Sequence, residues 1–409
     1  HRVYIVMNAQ SAWNGVSLYR SSIDLVPAYR DSQTGNKFMP VARCTDIGYY
    51  ELQPSTEYMM IVSLPMKGVG SVEKMVVFGS SETVYASTKN LYVTRQNWRP
   101  TPVPKRGIIA PIPSEQTVVE KFSFKDGKTS YQGRGTIPGR LLNQFSMDEF
   151  HGDLRVATTK GNEWDQKNPL TNGIYVLSSD LKVRGRLEKL ARGERIYSVR
   201  FMGKRGYVVT FKKVDPLFVI DLENPNAPTI LGTLKIPGYS DYLHPMDETH
   251  LIGVGKNAEE ATEGDFAWYQ GMKLAVFDVS DVAHPREMWK TEIGDRGTDS
   301  PALRDHRAFL YSPSKQLLAL PIQLTQLSAE QRLAFPNQEG SMYGEFVFQG
   351  AYVYRLTLDR GFELLGRVTH YVDNDALRYW YNGRMSEDID RIHYVNDSLL
   401  TFSPSVIQL

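Results

Sequence analysis

The chain has 409 residues, and its 47 basic and 46 acidic side chains give a formal net charge of +1 at pH 7. Such a balance of charges gives no electrostatic case for binding to nucleic acid or acidic lipid. Hydrophobic residues make up 41% and charged residues 23%, as in folded globular proteins, and no apolar stretch approaches the ~20 residues of a membrane-spanning helix. We therefore expect a folded protein with no nucleic-acid partner and no membrane span in this chain.

The first predicted elements are strands, and the chain opens in the middle of one. HRVYIVMN, at residues 1–8, is neither an initiator methionine nor a signal peptide, so we expect an upstream segment to precede it. A sheet that lacks its first strand is predicted from two segments, Arg2 to Met7 and Met59 to Leu64. The next sheet is predicted from Val84 to Thr94 and Thr117 to Pro138.

A direct internal repeat predicts the sheets that follow. FSMDEFHGDLRVAT (Phe145 to Thr158) aligns without a gap onto YSVRFMGKRGYVVT (Tyr197 to Thr210), and each copy opens with an aromatic residue and serine and closes on threonine. DPLFVIDLENPNAPTILGTLKIPG (Asp215 to Gly238) follows the second copy and returns in outline as KLAVFDVSDVAHPREMWKTEIGD (Lys273 to Asp295). Self-similarity at roughly 40 to 50 residues, made only of short strands and turns, is typical of a β-propeller.

The clearest copy, Arg195 to Ile236, serves as a template for a four-stranded sheet. The remaining sheets are predicted from Phe145–Thr159 with Gly173–Leu190, Tyr242–Gly255 with Met272–Ile293, Asp305–Pro321 with Gly350–Val368, and Asp390–Phe402 with Ser405–Leu409. The last of these lacks a fourth strand. We predict an all-β fold, a β-propeller of four-stranded antiparallel blades, with seven blades recognisable and seven or eight in total. It forms a single domain over residues 1–409 with its N-terminal part truncated, and how the ring closes stays open.

Five long insertions interrupt the repeats, at residues 8–56, 96–115, 256–271, 323–349 and 371–388. Two of them carry clustered aromatic side chains, namely Phe266, Trp268, Tyr269, Tyr379, Trp380 and Tyr381. Loops of this length are usually functional or disordered, and aromatic content argues against disorder. The rings either pin each loop to the sheets, which is the interpretation we favour, or form a surface for a ligand or partner.

Polar residues on the first strands of the blades form a second candidate site, because these strands line the central channel of a propeller. The candidates are Asn143, Ser146, Asp148, Ser198, Arg200, Asp241, His244, Asp305, His306, Asp390, Arg391 and His393. We expect a network of hydrogen bonds between blades and to channel water, as buried polar groups require. A site for a metal or small polar ligand, and a catalytic site, are the alternatives.

Motifs for metals and for catalysis are weak in this sequence. HExxH, CxxC, the EF-hand loop and the GxSxG elbow are all absent. Asp373, Asp375 and Asp388 offer the oxygen ligands that Ca²⁺ prefers, although short acidic runs in loops are more often solvated. We expect no cofactor, and Ca²⁺ is the one candidate.

Five phrases spread over most of the chain resemble a known family: LLNQFSMDEFHGDLRVATT, GERIYSVRFMGKRGYVVTFKKVDPLFVIDL, LKIPGYSDYLHPMDETHLIGVG, KLAVFDVSDVAHP and DHRAFLYSP. They are similar to segments of secreted or cell-surface bacterial and archaeal proteins whose C-terminal β-propeller is distantly related to WD repeats. The resemblance implies the propeller fold, a secreted or cell-surface location, and further strand repeats ahead of the propeller. It implies no established activity and no catalytic residues.

Two functions from different classes follow. We favour a non-enzymatic binding or scaffold module at the cell exterior with a protein or glycan partner, because rigid sheets carry aromatic loops and no catalytic signature is present. The alternative is a hydrolase or lyase at the mouth of the channel. Its acid and base would come from Asp148, Asp241, His244, Asp305 and His306. The identity of the ligand and the oligomeric state stay open.

Overall fold

A computed structural model describes residues 2–10, 26–32, 35–49, 57–66, 70–98, 115–212, 215–260, 267–334, 341–372 and 386–409. Strands and short turns dominate these residues, and the one α-helix among them is α1 at Ala329–Ala334. The chain divides into two compact units, His1–Gly161 with Gly173–Arg186, and Asn162–Asn172 with Leu187–Leu409.

The first three sheets lie in the first unit, apart from the ends of two strands of sheet 3. Sheet 1 begins with β1 (Arg2–Gln10), and a separate hairpin of β2 (Ala28–Tyr29) and β3 (Met39–Pro40) follows it in the chain. The other strands of sheet 1 are β4 (Ile47–Tyr49), β5 (Glu57–Pro65) and β6 (Glu73–Phe78). Its order is β1–β5–β6–β4, with β4 parallel to β6.

Sheets 2 and 3 have their strands in chain order. Sheet 2 consists of β7 (Thr83–Ala86), β8 (Asn90–Trp98), β9 (Glu115–Lys125) and β10 (Lys128–Pro138). Sheet 3 consists of β11 (Met147–Phe150), β12 (Asp153–Lys160), β13 (Thr171–Leu177) and β14 (Val183–Leu190). Asp126 and Gly127, with φ angles of 52° and 79°, close the hairpin of β9 and β10. A two-residue turn of this kind needs positive φ at both positions, which explains the Asp-Gly sequence.

The second unit contains sheets 4 to 7, again with strands in chain order. Sheet 4 is β15 (Arg195–Met202), β16 (Arg205–Phe211), β17 (Asp215–Asp221) and β18 (Thr229–Ile236). Sheet 5 is β19 (Tyr239–Pro245), β20 (His250–Glu260), β21 (Ala267–Asp278) and β22 (Arg286–Ile293). Sheet 6 is β23 (Leu310–Ser312), β24 (Leu317–Gln326), β25 (Glu345–Thr357) and β26 (Gly361–Val368). Sheet 7 is β27 (Arg391–Val395), β28 (Ser398–Phe402) and β29 (Ile407–Gln408).

The core of the second unit lies between neighbouring sheets. Leu217 and Val219, which alternate with other residues along β17, are buried against Leu251 and Phe277 of sheet 5. Burial of each such side chain contributes about 1.5–3 kcal/mol. Alternating apolar residues therefore pack one sheet against the next, and the strand ends carry polar groups.

Each of the seven predicted blades corresponds to one sheet of the described residues, so the prediction of an all-β fold is confirmed. Sheet 7 has three strands, as expected. In sheet 1, β1, β5 and β6 pair antiparallel in that order, and β4 adds a short parallel strand at the far edge. The sequence repeat thus predicts the number and order of the sheets correctly.

The predicted insertions are too long. Several of their ends belong to strands, namely residues 8–10 in β1, 96–98 in β8, 256–260 in β20, 267–271 in β21, 323–326 in β24 and 345–349 in β25. The ladder between β20 and β21 runs on until Glu260 pairs with Ala267. Backbone hydrogen bonds do not depend on apolar side chains, so hairpins continue past the apolar segment that the sequence pattern detects.

Five polar candidates that we expected on first strands lie outside them: Asn143, Ser146, Asp305, His306 and Asp390. Asn143 accepts a hydrogen bond from the Phe145 backbone at 3.0 Å and caps a short 3-10 turn. Asp305 accepts one from the Arg307 backbone at 3.1 Å and caps another. Asparagine and aspartate side chains bond the backbone two residues on, and this favours turns over strands.

Candidate functional site

The first strands of sheets 4 and 5 each contain a bulge near their start. The pairing of β15 with β16 shifts register around Tyr197, and the pairing of β19 with β20 shifts around Asp241. Both residues are left out of the ladder. A bulge residue is released from strict alternation and often directs its side chain towards a functional site.

Gly255 makes the bulge at Asp241 possible. It pairs with Ser240, the residue before the bulge. A Cβ atom on Gly255 would lie 1.7 Å from the carbonyl oxygen of Tyr239 and 2.7 Å from Cα of Ser240. No side chain fits so close an approach of two backbones, and glycine is required there.

The carboxyl group of Asp241 is partly buried, and no residue that the structure describes donates a hydrogen bond to it. Burial raises its pKa to about 7; Lys256 and Arg304 act against this rise, and Asp299 adds to it. A carboxyl group that titrates near neutral pH beside other charged groups is a common feature of functional sites.

Asp299 pairs with Arg304 and Lys256, two cations whose charges act on Asp241. The guanidinium group of Arg304 donates to Oδ2 of Asp299 at 2.6 Å, and Nζ of Lys256 lies 3.5 Å from Oδ1. Reciprocal backbone hydrogen bonds with Gln323, of 2.9 and 2.8 Å, fix Asp299 in the connection between sheets 5 and 6. Asp241 is therefore the carboxyl group of this cluster that lacks a donor. We call Asp241, Lys256, Asp299 and Arg304 the Asp241 site.

An aromatic cluster borders the Asp241 site. The ring centroids of Tyr197 and Tyr239 are 4.7 Å apart, those of Tyr239 and Tyr269 are 5.1 Å apart, and the hydroxyl groups of Tyr197 and Tyr269 lie 3.3 Å from each other. Burial, followed by the charges of Asp241 and others, raises the pKa of Tyr239. Tyr269 remains 40% exposed. The cluster therefore presents a ring beside the carboxyl group.

A second pair of rings lies next to Lys256. The guanidinium carbon of Arg296 is 4.4 Å from the ring centroids of both Trp268 and Tyr343. Tyr343 is 64% exposed, and a hydrogen bond from Arg296, with a smaller contribution from Lys256, lowers its pKa. Trp268 and Tyr269 thus contact other side chains of the second unit and also leave ring surface accessible. Phe266, Tyr379, Trp380 and Tyr381 lie outside the described residues.

Arg200, His244 and His306 form a separate polar cluster. Nε of Arg200 donates to the carbonyl oxygen of Leu243 at 2.9 Å, and the hydroxyl of Tyr242 lies 2.9 Å from Nδ1 of His244. Burial first, and then the charges of Arg200 and His306, lower the pKa of His244 to about 4. His244 is thus neutral at physiological pH, as a structural hydrogen-bonding group would be.

Asp305 is fully engaged in ion pairs. Arg307 donates to both of its oxygens at 2.9 Å, and Arg391 donates to Oδ2 at 2.5 Å. These cations, the hydrogen bond from Arg307 first, lower the pKa of Asp305 to about 2. Asp305 is therefore satisfied by these two cations.

The other predicted residues are not members of the Asp241 site. Asp148 pairs with the buried Arg155, and Oγ of Ser198 donates to the carbonyl oxygen of Ser240 at 2.6 Å. The buried Oγ of Ser146 has no partner among the described residues, and the exposed His393 ring contacts Phe402.

The weak metal candidates receive no support from the part of the chain that is described. Asp388 is buried and accepts a hydrogen bond from the hydroxyl of Tyr371 at 2.7 Å. Asp373 and Asp375 lie outside the described residues. Within the described residues there is no group of three or more His, Cys, Asp or Glu side chains placed to hold a metal ion.

Sequence reasoning identified Asp241 and Tyr269 but missed most of their surroundings. The residues missed are Lys256, Asp299, Arg304, Tyr197, Tyr239 and Tyr343. One local signal marks two of them: an aromatic residue followed by serine occurs at Tyr197–Ser198 and again at Tyr239–Ser240. The charged residues come from the interior of β20 and from a connection, and no repeat marks them.

Seven consecutive sheets of short strands place the protein in the β-propeller class. The chain belongs to the family described as Beta propeller domain, whose model matches residues 1–409. It is 45% identical over 203 residues to an uncharacterized protein of Methanocaldococcus jannaschii, and 42% identical over 207 residues to an uncharacterized protein of Archaeoglobus fulgidus. These matches span 50% and 51% of this chain but only 29% and 30% of the two relatives. No helix in the described residues is both long and apolar enough to cross a membrane.

Proposed function

We propose that this chain is a binding module and that the Asp241 site, with its aromatic border, is the binding surface. The observation that carries the proposal is the Asp241 carboxyl group, which is partly buried and lacks a hydrogen-bond donor among the described residues. Hydrogen bonds to charged groups contribute about 1.5–3 kcal/mol. A ligand that donates a hydrogen bond to Asp241 therefore gains free energy on binding.

The surroundings of Asp241 favour binding because they are held in place before a ligand arrives. Gly255 and the bulge set the backbone, and Asp299 orients Arg304 and Lys256. Preorganised groups lose little conformational entropy on binding, so more of the interaction free energy appears as affinity. The family resemblance supports a location at the cell exterior, and a protein or a glycan is the partner that we propose there.

Arrays of immobilised glycans and of peptides test this function. We expect the purified chain to bind a subset of spots, and we expect Asp241→Ala and Tyr269→Ala to lose that binding. His284→Ala is the matched control, because His284 is exposed and pairs with Asp281 in the turn after β21, outside the Asp241 site. Equal binding by all three variants, or binding to no spot on either array, contradicts the proposal.

A second candidate, acid-base catalysis, is favoured by one observation. Asp241 has a pKa of about 7, while the Asp299 carboxylate is paired with Arg304. A protonated and an ionised carboxyl group in one site are the components of hydrolysis by acid and base. Asp305 and Asp148, by contrast, each form an ion pair with an arginine, so neither is an equally good candidate for the acid or the base.

A substrate panel separates the two candidates. Glycans, lactones and phosphoesters are incubated with the wild type, with Asp241→Asn and with Asp299→Asn. Turnover by the wild type that both substitutions abolish would establish the enzyme. Binding without turnover of the bound compound supports the binding module.

A further inference from the structure

We propose that the ligand of the Asp241 site is a neutral oligosaccharide, an inference that rests on the binding function proposed above. The site combines hydrogen-bond acceptors and donors, and partly exposed aromatic rings lie close to it. Three properties of these groups lead to the ligand class: their charges, their hydrogen-bonding capacity and the exposure of the rings.

The charges disfavour ligands of either sign. Lys256 and Arg304 lie close enough to Asp241 to lower its pKa, and they repel an ammonium group that approaches the carboxyl. An anionic ligand meets the carboxylates of Asp241 and Asp299 in the same place. Because charged groups are costly to desolvate without a dedicated partner, a ligand without net charge suits the site best.

Hydroxyl groups match the hydrogen bonds that the site offers. Each hydroxyl has one donor and two acceptor positions. It can donate to the carboxyl group of Asp241 and accept from the guanidinium of Arg304 or the ammonium of Lys256. Hydroxyls on adjacent carbons of a sugar ring present such donors and acceptors side by side.

Exposed rings flank the polar groups. Tyr269 is 40% and Tyr343 is 64% exposed, one ring in the cluster beside Asp241 and the other near Lys256. Aromatic faces pack against the apolar C–H faces of sugars. Two such rings suit an oligosaccharide rather than a single sugar.

Calorimetric titration at pH 7 with hexasaccharides of matched length tests the ligand class. The neutral probes are chitohexaose, cellohexaose and mannohexaose; the charged ones are the cationic glucosamine hexamer and anionic hexagalacturonate. We expect at least one neutral hexamer to bind with a Kd below about 1 mM, and both charged hexamers to bind about tenfold more weakly or not at all.

Variants assign the binding to this site. We expect Asp241→Ala and Tyr343→Ala each to weaken binding of the neutral hexamer about tenfold, which corresponds to ~1.4 kcal/mol. Tyr343→Phe keeps the ring face and should retain binding, as should His284→Ala. Tyr343 is exposed, so its substitution tests the site even if Asp241→Ala fails to fold, and circular dichroism verifies the fold of each variant.

Two outcomes overturn the inference that the ligand is a neutral oligosaccharide but do not contradict the proposed binding function. One is tighter binding of a charged hexamer than of every neutral one. The other is binding of array peptides that depends on Asp241 while no hexasaccharide binds. If neither peptides nor any saccharide bind, the inference and the proposed function both fail.

Discussion

Tyr197 and Asp241 occupy equivalent positions, each being the unpaired bulge residue of a first strand in consecutive sheets. The serines that adjoin them link the two strands, because Oγ of Ser198 donates to the carbonyl oxygen of Ser240 at 2.6 Å. The repeat thus uses one backbone irregularity to present an aromatic ring in sheet 4 and a carboxyl group in sheet 5. Both side chains belong to the proposed binding surface.

Replacing Asp241 by asparagine should stabilise the chain at alkaline pH. The pKa of Asp241 in the folded chain, about 7, lies above the ordinary 3.8, so the folded state binds this proton more tightly than the unfolded state. The resulting stabilisation is complete below pH 3.8 and is lost as the pH rises through 7. Urea unfolding at about pH 8 should show Asp241→Asn more stable by at most about 4 kcal/mol, with little difference near pH 4. The same effect at both pH values would exclude the raised pKa.

Replacing Asp305 by asparagine should have the opposite effect. Hydrogen bonds and ion pairs with Arg307 and Arg391 lower the pKa of Asp305 to about 2. Its stabilising contribution is therefore present above the ordinary pKa of 3.8 and is lost as the pH falls through 2. We expect Asp305→Asn to reduce the free energy of unfolding near pH 7 by up to about 2 kcal/mol. A variant as stable as the wild type at neutral pH would show that these ion pairs contribute nothing.

Substitution of Gly255 by alanine should damage both stability and binding. The added Cβ would lie 1.7 Å from the carbonyl oxygen of Tyr239, and the clash is with backbone that cannot rotate away. We expect a loss of about 1–3 kcal/mol or more in unfolding free energy together with loss of ligand binding. Gly366→Ala in β26 is the control, because a Cβ there meets no atom within 4 Å. If both substitutions have equal effects in thermal melts, the close approach at Gly255 does not matter.

In the first unit, removal of the charge of Asp148 should strongly destabilise the chain. The side chain of its partner Arg155 is only 3% exposed, and Asp148→Asn leaves this cation buried without its counter-ion, which costs about 3–5 kcal/mol. Asp46→Asn breaks the exposed pair with Arg43 and should leave urea unfolding unchanged, since exposed pairs contribute little. A small effect of Asp148→Asn, no larger than that of the control, would contradict the importance of the buried pair.

The sequence by itself determined the seven sheets and their order, because the signals involved are local. Two kinds of signal act over only a few positions: the alternation of apolar residues within a strand, and turn residues such as Asp126–Gly127. The match of Phe145–Thr158 to Tyr197–Thr210 repeats these signals along the chain and so strengthens the prediction. It also identified Asp241, a polar residue in a segment expected to be a strand. The lengths of the hairpins could not be predicted in this way, since backbone pairing continues where side-chain patterns stop.

Only the tertiary structure decided which groups surround Asp241. Lys256 lies within β20, and Asp299 and Arg304 come from the connection that leads into sheet 6. Their meeting depends on how sheets 5 and 6 pack and on a bulge that requires glycine at position 255. The pKa of a carboxyl group and its need for a donor are set by burial and by charges close in space. Such contacts join residues far apart in the chain, and for that reason no local pattern predicts them.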